Sequence, residues 1–207
     1  MIYVDRAAAG RALGADLAHL RASHPLVLGL PRGGVPVAAA VHEIIGGDLD
    51  ILLVRKLGVP WQPELAMGAL GEGGARVLNR DVLEHITVAP QLFAELEHRE
   101  RTELERRRRL WRGERAPIPM ADRVVVLVDD GMATGATVVV ACRVARSCGP
   151  AGLVVAVPVS SGEAMDRVVP ECDELVCPWV PESLGGVGTA YRDFHQLTDD
   201  EVTALLG

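Results

Sequence analysis

The chain has 207 residues, 49% hydrophobic and only 3% aromatic, with a formal net charge of -7. That length is enough to bury a real core in one domain. The acid excess excludes a general nucleic-acid binder, whose affinity comes from surplus Lys and Arg. The four cysteines, Cys142, Cys148, Cys172 and Cys177, form no C-x-x-C pair, which points away from zinc knuckles and redox motifs and toward scattered thiols in a reducing cytoplasm.

Val4 to Arg21 places apolar Ala8, Leu13, Leu17 and Leu20 among charges and reads as an amphipathic helix. Its charges leave no apolar region suited to a signal peptide, and no later run approaches the roughly 20 residues needed to cross a bilayer, so a cytoplasmic protein free of membranes is expected. Leu26 to Leu30 is a strand-length apolar run, followed by the turn Pro31-Arg32-Gly33-Gly34 and a helix from Val35 to Ile45 that stops at Gly46-Gly47. Asp50 to Val54 is a second buried strand, predicted to lie parallel to the first and to end at Arg55-Lys56. Leu65 to Leu70 and Arg76 to Leu78 flank Gly71-Glu72-Gly73-Gly74 as a hairpin, and Gln91 to Arg115 forms an exposed helix of interleaved Glu and Arg that frays before Pro117 and Pro119. Strands then follow at Arg123 to Val128, Leu153 to Val157 and Glu174 to Cys177. Helices follow at Gly135 to Ser147, Ser161 to Val169 and Asp199 to Leu206, the last capped by Thr198. This alternation predicts an α/β class with a doubly wound, mostly parallel sheet in a single domain spanning 1–207, its core near 22–60 and 120–180.

The richest stretch runs from Val124 to Thr137. A buried strand delivers Asp129 and Asp130 to its C-terminal end, where open α/β sheets bind ligands. Gly131, Met132, Ala133, Thr134, Gly135, Ala136 and Thr137 then let the backbone curl so that successive N–H groups can face an anion at the start of the next helix. Thr134 and Thr137 add hydroxyl donors, and Gly135 removes a side chain that would block a close phosphate. Paired carboxylates repel that phosphate but accept hydrogen bonds from a vicinal diol, so acids beside a nest describe a site for ribose 5-phosphate. The alternative is a plain strand-to-helix turn in which the acids are merely solvated. A Walker P-loop is excluded because the sole lysine is Lys56, and no G-x-G-x-x-G is present.

This segment resembles the signature of type I phosphoribosyltransferases that binds 5-phosphoribosyl-1-pyrophosphate (PRPP). Leu28-Gly29-Leu30-Pro31-Arg32-Gly33-Gly34-Val35-Pro36 and Tyr191-Arg192-Asp193-Phe194 resemble bacterial members of unassigned acceptor. The resemblance implies transfer of the phosphoribosyl group from PRPP to a nitrogenous acceptor with release of pyrophosphate. Arg32, Gly33 and Gly34 would hold pyrophosphate, and Lys56 would lie near it. Catalysis would rest on Arg32, Lys56 and Mg2+. The ion is inferred from the substrate and would be held by PRPP oxygens and water, touching Asp129 and Asp130 at most through water. It also implies a mobile hood in the region near 61–119, with Arg106, Arg107, Arg108 and Arg109 closing over the site, and acceptor recognition by residues 178–207. A solvated, salt-bridged helix is the competing reading of those four arginines.

One position departs from the pattern. Purine-salvage relatives carry an Asp four residues after the first acid, and here that place is Ala133. The acceptor is then already anionic or nucleophilic, or another group acts as base, with His195 and Asp193 as weak candidates. Trp179 or Tyr191 can stack on a flat base or simply pack. A regulatory module that binds PRPP or a nucleotide without turnover, and hydrolysis by water, are the alternatives to transfer. Homodimer formation is left open.

Overall fold

The valine run marked by the sequence becomes β6 (Val124–Val128), the middle strand of a parallel sheet in the computed structural model, which describes residues 2–206. The sheet has the order β2 (Asp48–Ile51), β1 (Leu26–Gly29), β6, β7 (Gly152–Ala156), β8 (Glu174–Val176), and all four pairings are parallel. Both faces are apolar, as a covered parallel sheet requires. Leu26 and Leu28 join Val125, Leu127, Leu153 and Val155 against α5 (Ala136–Ser147) and α6 (Gly162–Val168). Val27, Val126, Val128, Val154 and Ala156 pack on the other side against α1 (Arg6–Asp16) and α2 (Gly34–Ile45). The architecture is the doubly wound α/β sandwich expected from the alternation.

The order reverses between β1 and β6, and the register pairs Gly29 with Val128, so the loops leaving these two strands start side by side. Such a switch point is where a crevice opens above an α/β sheet.

A second sheet contains β3 (Val54–Val59), β4 (Gln62–Gly71) and β5 (Arg76–Leu78), all antiparallel. The hairpin is where the spacing places it, but the strand expected over Asp50 to Val54 is divided: β2 ends at Ile51 and Val54 already belongs to β3. Lys56 therefore lies within β3 opposite Ala69, and not at the end of a parallel strand. An apolar run reports burial and carries no information about which sheet the chain is in. The charged helix forms as α4 (Pro90–Trp111), preceded by the unforeseen short α3 (Arg80–His85), and the first helix ends at Asp16 with a 3-10 segment, Ala18–Ser23, behind it.

Arg112, just past α4, ties this region to the main sheet. Its Nη1 donates to both oxygens of Asp50 at 2.7 and 2.8 Å, its Nε to Glu72 at 2.8 Å, and its Nη2 to the Ile51 carbonyl at 2.9 Å. The last helix, α7 (Asp199–Leu206), begins with a capping box. The Thr198 hydroxyl accepts from the Glu201 N–H at 3.2 Å, and the Glu201 carboxylate accepts from the Thr198 N–H at 2.8 Å.

Candidate functional site

The site grows from the two loops at the switch point. The β1 loop turns tightly, with the Gly34 N–H donating to the Leu30 carbonyl at 2.9 Å, and it is stitched to its neighbour by the Leu30 N–H donating to Val128 O at 2.9 Å. The Pro31–Arg32 peptide is cis. A Cβ on Gly33 would overlap the Asp130 carboxylate, and one on Gly34 would strike the Val128 carbonyl. Gly34 is thus required by the main chain of the neighbouring loop, and Gly33 by the position in which the Asp130 carboxylate is held.

The β6 loop carries the acids. Asp130 Oδ2 accepts from Arg6 Nε at 2.9 Å, and its main-chain carbonyl accepts from the Tyr191 hydroxyl at 2.6 Å. Asp129 Oδ1 accepts from the Asp130 N–H at 2.9 Å. Burial pushes the Asp129 carboxyl well above the usual carboxylate range, and the adjacent Asp130 adds to the shift; Asp130 is raised by burial with Arg6 opposing. The chain has placed two acids where it is costly to ionise both, an arrangement that marks ligand sites more often than folding devices.

The rest of the loop divides its labour. Met132 is buried, with its N–H donating to Val159 O at 2.9 Å and its carbonyl accepting from the Ser161 N–H, so it fixes the loop to the segment that joins β7 to α6. Gly131 is packed against Val159 and Val187. Gly135 has φ 72°, the left-handed conformation that glycine adopts freely, and from it the chain enters α5. Val139 makes the bond to the Gly135 carbonyl at 2.9 Å, so the amides before it have no acceptor within the helix, as at any helix start. Ala133, Thr134 and Thr137 are exposed around this turn, and Thr134 Oγ1 accepts from the Ala136 N–H at 3.4 Å.

Two cavities share Pro31, Arg107 and Trp111. The smaller, about 470 Å³, is lined by Arg6, Arg32, Gly33, Arg106, Asp130 and His195 among others. The larger, about 800 Å³, runs under α4 and β3 and includes Lys56, Arg55, Glu100 and Thr137. Arg32 and Lys56 thus line adjoining spaces. Arg32 is engaged by the C-terminal segment: Nη1 donates to Leu197 O at 2.9 Å, and Nε lies 3.3 Å from Asp199 Oδ1.

Arg106, Arg107, Arg108 and Arg109 form the salt-bridged helix face that was the competing reading. Arg106 and Arg107 pair with Glu103, and Arg108 and Arg109 with Glu105, at i,i+3 and i,i+4 spacing. Yet Arg106 and Arg107 also line the smaller cavity. Tyr191 is buried and packs between Tyr3 and Phe194, so its ring serves the fold and its hydroxyl the acidic loop. Trp179 is half-buried against the same cluster. His195 is exposed, its Nδ1 2.9 Å from Asp193 and its Nε2 3.1 Å from Glu201, and those bonds, Asp193 first, raise its pKa.

The sequence reading missed Arg6 as a site residue. Its partner is 124 positions away, and a single Arg at the start of an alanine-rich helix gives no local signal of that.

A phosphoribosyl transferase domain model matches residues 5–185. The chain belongs to this family. Two Mycobacterium tuberculosis proteins, both named "Putative phosphoribosyl transferase", are 47% identical over 205 residues, covering 99% of this chain and 46% of each of theirs. The chain therefore spans about half the length of the curated relatives it matches. The crystal structure of TT1426 from Thermus thermophilus is 44% identical and has a TM-score of 0.93, covering 100% of this chain and 98% of that one. A hypothetical protein from Neisseria gonorrhoeae, solved with bound ppGpp, shares the fold at 12% identity and a TM-score of 0.50, covering 99% of this chain and 94% of that one. Among the described residues no helix of this phosphoribosyl transferase domain is long and apolar enough to cross a membrane.

Proposed function

We propose that the chain binds PRPP at the β1–β6 crevice and transfers its phosphoribosyl group to a nitrogenous acceptor. The bond from ribose C1 to pyrophosphate breaks, a C1–N bond forms, and pyrophosphate leaves. The observation that carries this reading is the seam itself: Gly33 and Gly34 press the β1 loop onto Asp129 and Asp130, and the loop that carries these acids runs on into the start of α5. Carboxylates able to accept from a diol and amides able to donate to a phosphate would then serve one ligand. Arg32 and Lys56, each lining a cavity that includes Pro31, are assigned to the departing pyrophosphate.

Mg2+ belongs to this reading in a restricted role. Among the described residues no group of three or more His, Cys, Asp or Glu side chains could hold a metal, so substrate oxygens and water would supply the ligands and Asp129 and Asp130 would touch the ion at most through water. Such an ion would neutralise charge on pyrophosphate. Arg32 has to exchange its bonds to Leu197 and Asp199 for substrate oxygens, and α4 carries Arg106 and Arg107 on the cavity wall as it shields the site from water. With Ala133 in the loop, the acceptor's proton is not taken by a side chain at that position.

The test is calorimetry of PRPP with and without Mg2+, followed by pyrophosphate release over purines, pyrimidines and small amines. Binding that depends on Asp130 and turnover with at least one acceptor are expected. Binding without turnover on any acceptor would leave a regulatory module, and undiminished binding by Asp130→Asn would move the site elsewhere.

A further inference from the structure

The acidic pair receives unequal support. Asp130 has a buried cation, whereas among the described residues Asp129 is in no ion pair. Arg6 is only 8% exposed, and the β6 loop and the C-terminal tail together orient its head. Nε donates to Asp130 Oδ2 at 2.9 Å, Nη1 donates to the His195 carbonyl at 3.0 Å, and the guanidinium carbon lies 3.9 Å from the centre of the Phe194 ring.

The surroundings exist to put Arg6 there. Asp5 caps α1 by accepting from the Ala8 N–H at 2.6 Å. Gly10, one turn on, lets α1 lie against α2, where a Cβ would meet Val37 O at 2.5 Å. The residues before the helix are pinned to the tail, Tyr3 N–H donating to Ala190 O at 2.8 Å and Asp193 N–H to Val4 O at 2.9 Å. The tail in turn supplies Tyr191 to the Asp130 carbonyl and Phe194 to Arg6.

The bond to Arg6 occupies one oxygen of Asp130. No other described residue donates to Oδ1, and that oxygen keeps some contact with solvent, since every fully sealed side-chain N or O among those residues has a partner. Asp130 lines the smaller cavity. One oxygen is therefore anchored and the other is presented.

We propose that Arg6 is a positioning residue for the ligand-binding acid: it fixes the orientation and charge of Asp130 so that Oδ1 meets the ligand, and acts on the ligand through Asp130 and not by direct contact. This rests on the PRPP reading above. A guanidinium is suited to the task because its planar fork fixes an angle that a lysine ammonium leaves free. Removing it would leave Asp130, next to the partly buried Asp129, without its cation.

A double-mutant cycle on PRPP affinity, measured by calorimetry with Mg2+ present, tests the idea. Arg6→Gln is expected to weaken binding by about tenfold or more, on the scale of a lost charge-assisted bond. In the Asp130→Asn background the same substitution should cost less than about twofold, because the group it acts through is already gone. Equal losses in both backgrounds would overturn the proposal, as would unchanged affinity in Arg6→Gln. If Arg6→Gln does not fold, Arg6→Lys, which keeps the charge and loses the fork, enters the cycle under the same criterion, with a smaller loss expected. A wild-type chain that binds neither PRPP nor ribose 5-phosphate would reject the reading of the site together with this inference. Wild-type binding with an additive cycle would reject the inference alone.

Discussion

Arg112 and Arg6 are both buried, and each has two carboxylates nearby, yet the two groups are built differently. Around Arg112, Asp50 and Glu72 both converge on the guanidinium, and the Ile51 carbonyl takes the remaining reach. Around Arg6 only Asp130 makes the bond, and Asp129, next in the chain, is held by a main-chain N–H. The first arrangement is closed, with both carboxylates bonded to the guanidinium. The second is left open on one side, where the protein tolerates an acid it does not neutralise. Closed networks hold elements together; an open one keeps binding capacity for something else.

The largest effect should come from breaking the closed network. Arg112→Met would leave Asp50 and Glu72 buried without their cation, and a loss of about 3–5 kcal/mol in urea denaturation is expected. A loss below about 1 kcal/mol would mean that the network is not what joins α4 to the sheet.

The open pair should respond in the opposite direction. Asp129 has a folded-state pKa raised above its unfolded value, so it costs stability once the pH is high enough to ionise it in both states. Asp129→Asn should therefore be more stable than wild type at pH 7, by about 0.5–2 kcal/mol as for other relieved functional strain. The gap should close as the pH falls through the raised pKa toward the ordinary carboxylate range. A destabilised variant at pH 7 would show that Asp129 serves the fold after all.

The smallest effect belongs to a third class, the exposed pairs of α4. Glu105 is held near a pKa of about 2 by hydrogen bonds from Arg108 and then Arg109, but solvent screens the pair. Glu105→Gln should leave the unfolding midpoint within ordinary error, while NMR titration of the wild-type carboxyl reads the depressed value. A clear drop in midpoint would place α4 among the closed networks.

How much of this could be read from the sequence depended on whether the signal was local. β1 and β6 are continuous apolar runs bounded by turn residues, and the loops that follow them carry their own chemistry, so Arg32, Gly33, Gly34, Asp129 and Asp130 were legible and the fold brings them together. The change of sheet at Leu52-Leu53 was not, because the apolar run continues through it while the hydrogen-bonding partner changes. Arg6, Tyr191 and Phe194 act across the chain's two ends, and neither end carries the pattern alone. Lys56 stood out by being the only lysine, but its place in β3 follows from strand pairing that composition does not encode.

The contact between Gly33 and Asp130 bears on redesign. A Cβ at 34 would meet main-chain atoms and one at 33 the Asp130 carboxylate, so neither glycine can be replaced without moving the β6 loop or its acid. The variable surface is the rim, where Lys56 and Arg107 on one side and His195 and Leu197 on the other reach the cavities from the ribbon, α4 and the tail. A library meant to reshape the crevice should be spread over Arg107, His195 and Leu197, leaving the two glycines alone, so that the rim is re-cut while the seam between the loops is kept.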